Sequence, residues 1–186
     1  FEGDDENGVA SIGVSVTGDR NYFRNVAMMN MGHANSADEA NSANLLIDGG
    51  EENTFDGCYI GLDTTARSTS NANVELKNAA ARNTFRDCIF PAFADNSGAL
   101  FVKVDGAGDI DRWVLFDNCT FINATNSTAT AMTVAMLVAN SAGGFVIVKN
   151  CSLHGATNWV VAGNAQVRLT GAVPTKATSG RSVDGA

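Results

Sequence analysis

The sequence predicts an all-β solenoid, a stack of short coils, and two observations carry that prediction. One ten-residue phrase returns five times at a nearly fixed spacing, and a second apolar segment precedes every copy. Self-similarity at a period of about 20–50 residues marks repeat architectures, in which no unit buries its apolar face alone.

The copies are NYFRNVAMMN from Asn21, NTFDGCYIGL from Asn53, NTFRDCIFPA from Asn83, VLFDNCTFIN from Val114 and VIVKNCSLHG from Val146. Their anchors are Phe23, Phe55, Phe85, Phe116 and Val148, so successive spacings are 32, 30, 31 and 32 residues. Three positions after each anchor stands Val26, Cys58, Cys88, Cys119 or Cys151; five after it stands Met28, Ile60, Phe90, Phe121 or Leu153. Offsets zero and three face opposite ways in one straight strand, yet both are apolar. Something must reset the parity. Offset two holds Asn25, Gly57, Asp87, Asn118 and Asn150, residue types that tolerate a left-handed backbone. A one-residue bend there makes two short strands that both point inward.

The preceding segments are IGVSV from Ile12, LLID from Leu45, VELK from Val74, LFVKV from Leu100 and AMLVA from Ala135. WVVAG from Trp159 starts a sixth coil that VRL from Val167 continues. Short β-rich runs parted by Gly, Asn, Ser and Thr fit strands and turns. SADEANSANLL near Ser36 is the one stretch read as a helical turn. Offset one reads Arg24, Asp56, Arg86, Asp117, Lys149, an outward column of alternating sign that avoids like-charge neighbours. The expected division is one β-solenoid domain over 1–170, with 171–186 a polar C-terminal extension.

The pattern N-x-F-x-[NDG]-C-x-[FIL] resembles coils of the single-stranded right-handed parallel β-helix, the fold of pectate-lyase-like proteins and many phage tailspikes. The resemblance covers Ile12 to Leu169 and implies five to six coils of about 31 residues. It implies no single function, because polysaccharide lyases, hydrolases, adhesins and virion parts share the fold. Galacturonan hydrolases of the group resemble one another in carrying Asn-Thr-Asp, Asp-Asp, Gly-His-Gly and Arg-Ile-Lys in successive coils. Here GDDEN precedes the first coil, and the His and Arg clusters are absent from the sequence. The lyases' Ca²⁺ carboxylates beside a basic cluster have no counterpart either.

Cys58, Cys88, Cys119 and Cys151 share one slot and read as an interior ladder of small apolar groups. Parallel Cβ vectors are badly aimed for a disulfide, and no C-x-x-C pair offers a zinc site. His33 and His154 read as solvated loop residues. The acidic stretches EGDDEN from Glu2 and DGAGDID from Asp105 lack the ligand order of an EF-hand loop and read as solvated turns. The N-x-[ST] sequons at Asn118, Asn123, Asn126 and Asn150 are explained by a chain rich in Asn, Ser and Thr. No catalytic residue, cofactor or metal is assigned.

A formal charge of −8 and a pI near 4.6 exclude a phosphate-backbone partner, which needs clustered Lys and Arg. No run of eighteen apolar residues occurs, so the expectation is no membrane span. A chain beginning with Phe is expected to be processed, or to be the ordered part of something longer. Two functions follow as expectations. The first is a non-enzymatic virion component, capsid-decorating, capsid-inserted or tail-associated, whose loops GLDTTARSTSNAN, PAFADNSG and INATNSTATAMTVA contact its own copies or other virion proteins. The second is a glycan-binding or polysaccharide-degrading module, secreted or at a cell surface.

Overall fold

A computed structural model describes residues 11–29, 42–67, 71–123, 130–139 and 141–171, with the backbone alone at 177–178 and 181–182. The described residues form strands, bends and turns, and no helix. The first rung is β1 (Ile12–Val16), β2 (Tyr22–Arg24) and β3 (Ala27–Met28). The second is β4 (Ala43–Asp48), β5 (Thr54–Asp56) and β6 (Tyr59–Ile60), extended by β7 (Leu62–Arg67). The third is β8 (Ala72–Lys77), β9 (Thr84–Arg86) and β10 (Ile89–Ala94); the fourth is β11 (Leu100–Val104), β12 (Trp113–Asp117) and β13 (Thr120–Asn123). After β14 (Met132–Val134), the fifth is β15 (Met136–Val138), β16 (Phe145–Lys149) and β17 (Ser152–His154). Then come β18 (Ala156–Asn158), β19 (Val167–Thr170) and the hairpin strands β20 (Ala177–Thr178) and β21 (Arg181–Ser182).

Equivalent strands pair in parallel into three faces. The first face is β1-β4-β8-β11-β15, the second β2-β5-β9-β12-β16-β19, and the third β3-β6-β10-β13-β17 with β7 also on β10. The chain is therefore a parallel β-solenoid. From β1 to β15 its path makes about four full turns, slightly fewer than expected, and β19 begins another. The short hairpin β20–β21 is antiparallel and lies against β17 and β18.

Register follows the repeat. Phe23 pairs with Phe55, Phe55 with Phe85, Phe85 with Phe116, Phe116 with Val148, and Val148 with Leu169. Four rings stack face over face, 4.8, 4.7 and 4.6 Å between successive centroids and within 9° of parallel. Offset stacking at such spacing adds to burial of the rings, and strand pairing sets the repeat distance. On the third face Phe90 stacks on Phe121 at 4.6 Å and meets Phe85 and Phe116 edge-on. On the first, Val14, Leu45, Val74, Val102 and Met136 run in register.

Two segments depart from the sequence-based expectation. WVVAG is not a strand: residues 159–163 bend and turn, Trp159 is buried edge-on against Phe121 at 5.3 Å, and Val161 is exposed. The Met136 amide still donates to the Trp159 carbonyl at 2.9 Å, and β19 resumes pairing on the second face. The three long loops are also partly strand, since β7, the end of β10 and β14 fall inside them. In GLDTTARSTSNAN, Leu62 pairs with Ala92 and Arg67 with Ala94, so Asp63 to Ala66 bulge outward while both ends stay in the sheet. Of SADEANSANLL, read as a helical turn, residues 43–46 are strand in β4, while 36–41 and the EGDDEN stretch lie outside the described residues.

Candidate functional site

All five offset-two residues have a left-handed backbone: φ is 54° at Asn25, 61° at Gly57, 53° at Asp87, 55° at Asn118 and 51° at Asn150. They form the corner between the second and third faces. Each amide donates to the next rung's carbonyl: Asn25 to Asp56, Gly57 to Arg86, Asp87 to Asp117, Asn118 to Lys149, and Asn150 to Thr170. At Gly57 a Cβ would sit 2.6 Å from the Asn25 Oδ1, so glycine leaves room for the neighbouring rung's amide.

Just inside that corner stand the cysteines. All four are buried free thiols. Each sulfur lies beside the anchor carbonyl of the preceding rung: Cys58 at 3.5 Å from the Phe23 oxygen, Cys88 at 3.4 Å from Phe55, Cys119 at 3.5 Å from Phe85 and Cys151 at 3.4 Å from Phe116. The Cys119 amide also donates to the Cys151 sulfur, 3.3 Å away. Hydrogen bonding between neighbouring thiols pushes Cys58 and Cys119 well above the ordinary thiol range and draws Cys88 and Cys151 below it, while burial raises all four. A thiolate is the reactive form, but every sulfur in this column is closed off from solvent. Native protein is therefore expected to show no fast-reacting thiol to an aromatic disulfide reagent and four on unfolding, with a melting temperature indifferent to reductant. Rapid labelling of the folded chain contradicts this.

The sequence motif begins with Asn, and that Asn builds an interior ladder the sequence reading left without a role. The Asn53 amide donates to Asn83 Oδ1 at 2.9 Å, and the Asn21 amide to Asn53 Oδ1 at 2.8 Å. Their Nδ2 groups reach back to carbonyls: Asn53 to Gly18 at 3.0 Å and Asn83 to Gly50 at 2.9 Å. Asn53 and Asn83 are fully buried, and at the fourth rung the buried Val114 ends the ladder.

One step earlier, Arg20, Glu52 and Arg82 make a second left-handed column, with φ of 59°, 58° and 56°. Arg20 Nε lies 2.6 Å and Arg82 Nε 3.1 Å from the Glu52 carboxylate, and Arg82 also pairs with Glu51. Of the offset-one column, Arg24 approaches Asp56 at 3.9 Å and Lys149 pairs with Asp117 at 3.1 Å. On the outer side of the first face, Glu75 joins Lys103 at 3.3 Å and Lys77 at 3.1 Å.

Among the described arginines without a carboxylate partner, Arg86 and Arg168 are exposed and Arg67 is buried. Its side chain is 1% exposed, donates to Asn44 Oδ1, and leaves Nη1 without a hydrogen-bond partner among the described residues. Burial pushes the guanidinium down to about 9, well below its ordinary range. A buried charge without a counter-ion is costly, so Arg67→Met is expected to raise stability by about 1–4 kcal/mol. Below pH 9 both folded and unfolded chains carry the proton and the folded one bears the full penalty. Above it the folded guanidinium sheds the proton before the unfolded one does, so the gap between the two proteins narrows as pH rises past about 9. A destabilised Arg67→Met protein contradicts this.

His154 is half-buried on the third face, paired in register with Ile122; His33 lies outside the described residues. In DGAGDID, Asp109 accepts from the Gly106 amide, closing its own turn. Among the described residues no group of three or more His, Cys, Asp or Glu is arranged to hold a metal, and no helix is long and apolar enough to cross a membrane. No protein-family model, curated protein or solved structure matched the chain.

Proposed function

We propose that this chain is a non-enzymatic structural solenoid of a bacteriophage-type particle, capsid-decorating, capsid-inserted or tail-associated, holding protein neighbours through its outer faces. The observation that carries this reading is where the chemistry-bearing side chains go. The thiols are sealed in the interior, the Asn amides bond rung to rung, and Glu51, Glu52, Asp56, Glu75 and Asp117 all sit in ion pairs along the stack. Polysaccharide cleavage needs opposed carboxylates, or a metal with a base, and such groups must be free to meet substrate.

The alternative, a glycan-binding module, draws on one observation: the outward rings of Trp113 and Phe145 are neighbours in register. The test is incubation with pectic and other acidic polysaccharides, following new reducing ends and unsaturated products. No turnover is expected. Turnover that tracks the purified chain overturns the structural reading.

A further inference from the structure

The outer side of the second face changes character along the stack. In the first three rungs its outward positions are Arg20, Glu52 and Arg82, then Tyr22, Thr54 and Thr84. In the fourth and fifth they become Trp113 and Phe145, then Leu115 and Ile147. All four apolar side chains remain partly exposed, although their strands alternate cleanly, with Val114, Phe116, Val146 and Val148 turned inward. Burial inside the chain therefore does not account for them. Asp117 and Lys149 complete the two rungs.

We infer that this face pairs two-fold with the same face of a second copy, which rests on the assembly role proposed above. An isologous contact must be self-complementary, and this patch is. A two-fold axis lying along the strands, midway between β12 and β16, sends each fourth-rung position onto a fifth-rung position. Trp113 then meets Phe145 of the second copy, Leu115 meets its Ile147, and Asp117 meets its Lys149. Each contact occurs twice, and two faces packed this way keep their strands aligned, as stacked sheets do.

Other registers are poorer. An axis along the stack sets Trp113 against Asp117, an indole against a carboxylate. Moving the axis one rung, between β9 and β12, keeps Arg86 against Asp117 but places Leu115 on Thr84. The chosen register alone matches apolar to apolar and charge to opposite charge. Its centre is aromatic and aliphatic with charge at the margin, the composition of protein interfaces. The same chain's Arg168 guanidinium lies 3.8 Å over the Phe145 ring, and it has to move aside for a sugar and for a second copy alike.

Sedimentation equilibrium on the full chain tests the pairing. A dimer is expected, and Leu115→Glu, or independently Ile147→Lys, weakens it about tenfold or more, with the circular dichroism spectrum unchanged. Lys149→Asp weakens it as well, since Asp117 of the second copy then faces a like charge, and adding Asp117→Lys restores it. If an apolar variant unfolds, the charge pair still decides. A monomer at high concentration, or any oligomer indifferent to Leu115→Glu and to the charge swap, overturns the inference. The indifferent oligomer leaves the assembly role standing, whereas polysaccharide turnover overturns that role and leaves the dimer measurement readable. A monomer whose glycan binding is lost in Trp113→Ala assigns the patch to sugar and overturns the pairing.

Discussion

Phe85→Ala is expected to lower the free energy of unfolding by about 3–5 kcal/mol, the usual loss for deleting a core Phe. Phe85 is fully buried at the middle of the ring column, 4.7 Å from Phe55 and 4.6 Å from Phe116, with Phe90 edge-on at 5.9 Å. Strand pairing fixes the rungs above and below, so they cannot close on the void, and the loss should fall toward the upper end. Phe23 is half-buried at the end of the same column with one stacking neighbour. Phe23→Ala should therefore cost less than half as much. Denaturant unfolding of both variants checks this; equal losses contradict a column whose end rung is open.

Asn83→Ala is expected to cost about 2–6 kcal/mol. It strips the buried Asn53 amide of its acceptor and the Gly50 carbonyl of a donor, and each orphaned buried group costs about 1–3 kcal/mol. Asn21 sits at the exposed end of the ladder and only donates to Asn53. Asn21→Ala should stay within about 1 kcal/mol of the parent. A mild Asn83 variant would mean that water replaces the amide, and that the ladder sets register without holding the stack.

Much of this fold was legible because one physical constraint, stacking at a fixed register, repeats in the sequence. The Phe anchors, the cysteine slot and the left-handed corner recur at a nearly constant spacing, and each position has a residue-type preference strong enough to see. What stayed hidden has no such recurrence. The Asn ladder spans three rungs and then yields to Val114, so its Asn looked like a motif letter with no interior partner. Arg67 sits among Asp, Thr and Ser in a stretch read as a surface loop. Only the pairing of Leu62 and Arg67 with β10 carries that side chain inward. WVVAG has the composition of a strand, but its Trp159 turns in against Phe121 and the backbone bends there. The apolar patch escaped notice because Trp113, Leu115, Phe145 and Ile147 alternate with core residues, and alternation gives periodicity without saying which side is covered.

The parallel stack underlies every functional statement made here, and a distance across it tests it most directly. Ala27, Tyr59, Ile89, Thr120 and Ser152 are successive register partners on the third face, away from the proposed pairing surface. Spin labels on cysteines introduced at Ala27 and Ser152, with the four native thiols sealed from labelling, should lie four strand steps apart. At roughly 4.8 Å a step, double electron–electron resonance should give one narrow distribution centred near 19 Å. A broad distribution, or one centred well beyond 30 Å, roughly six strand steps, contradicts the solenoid and everything built on it.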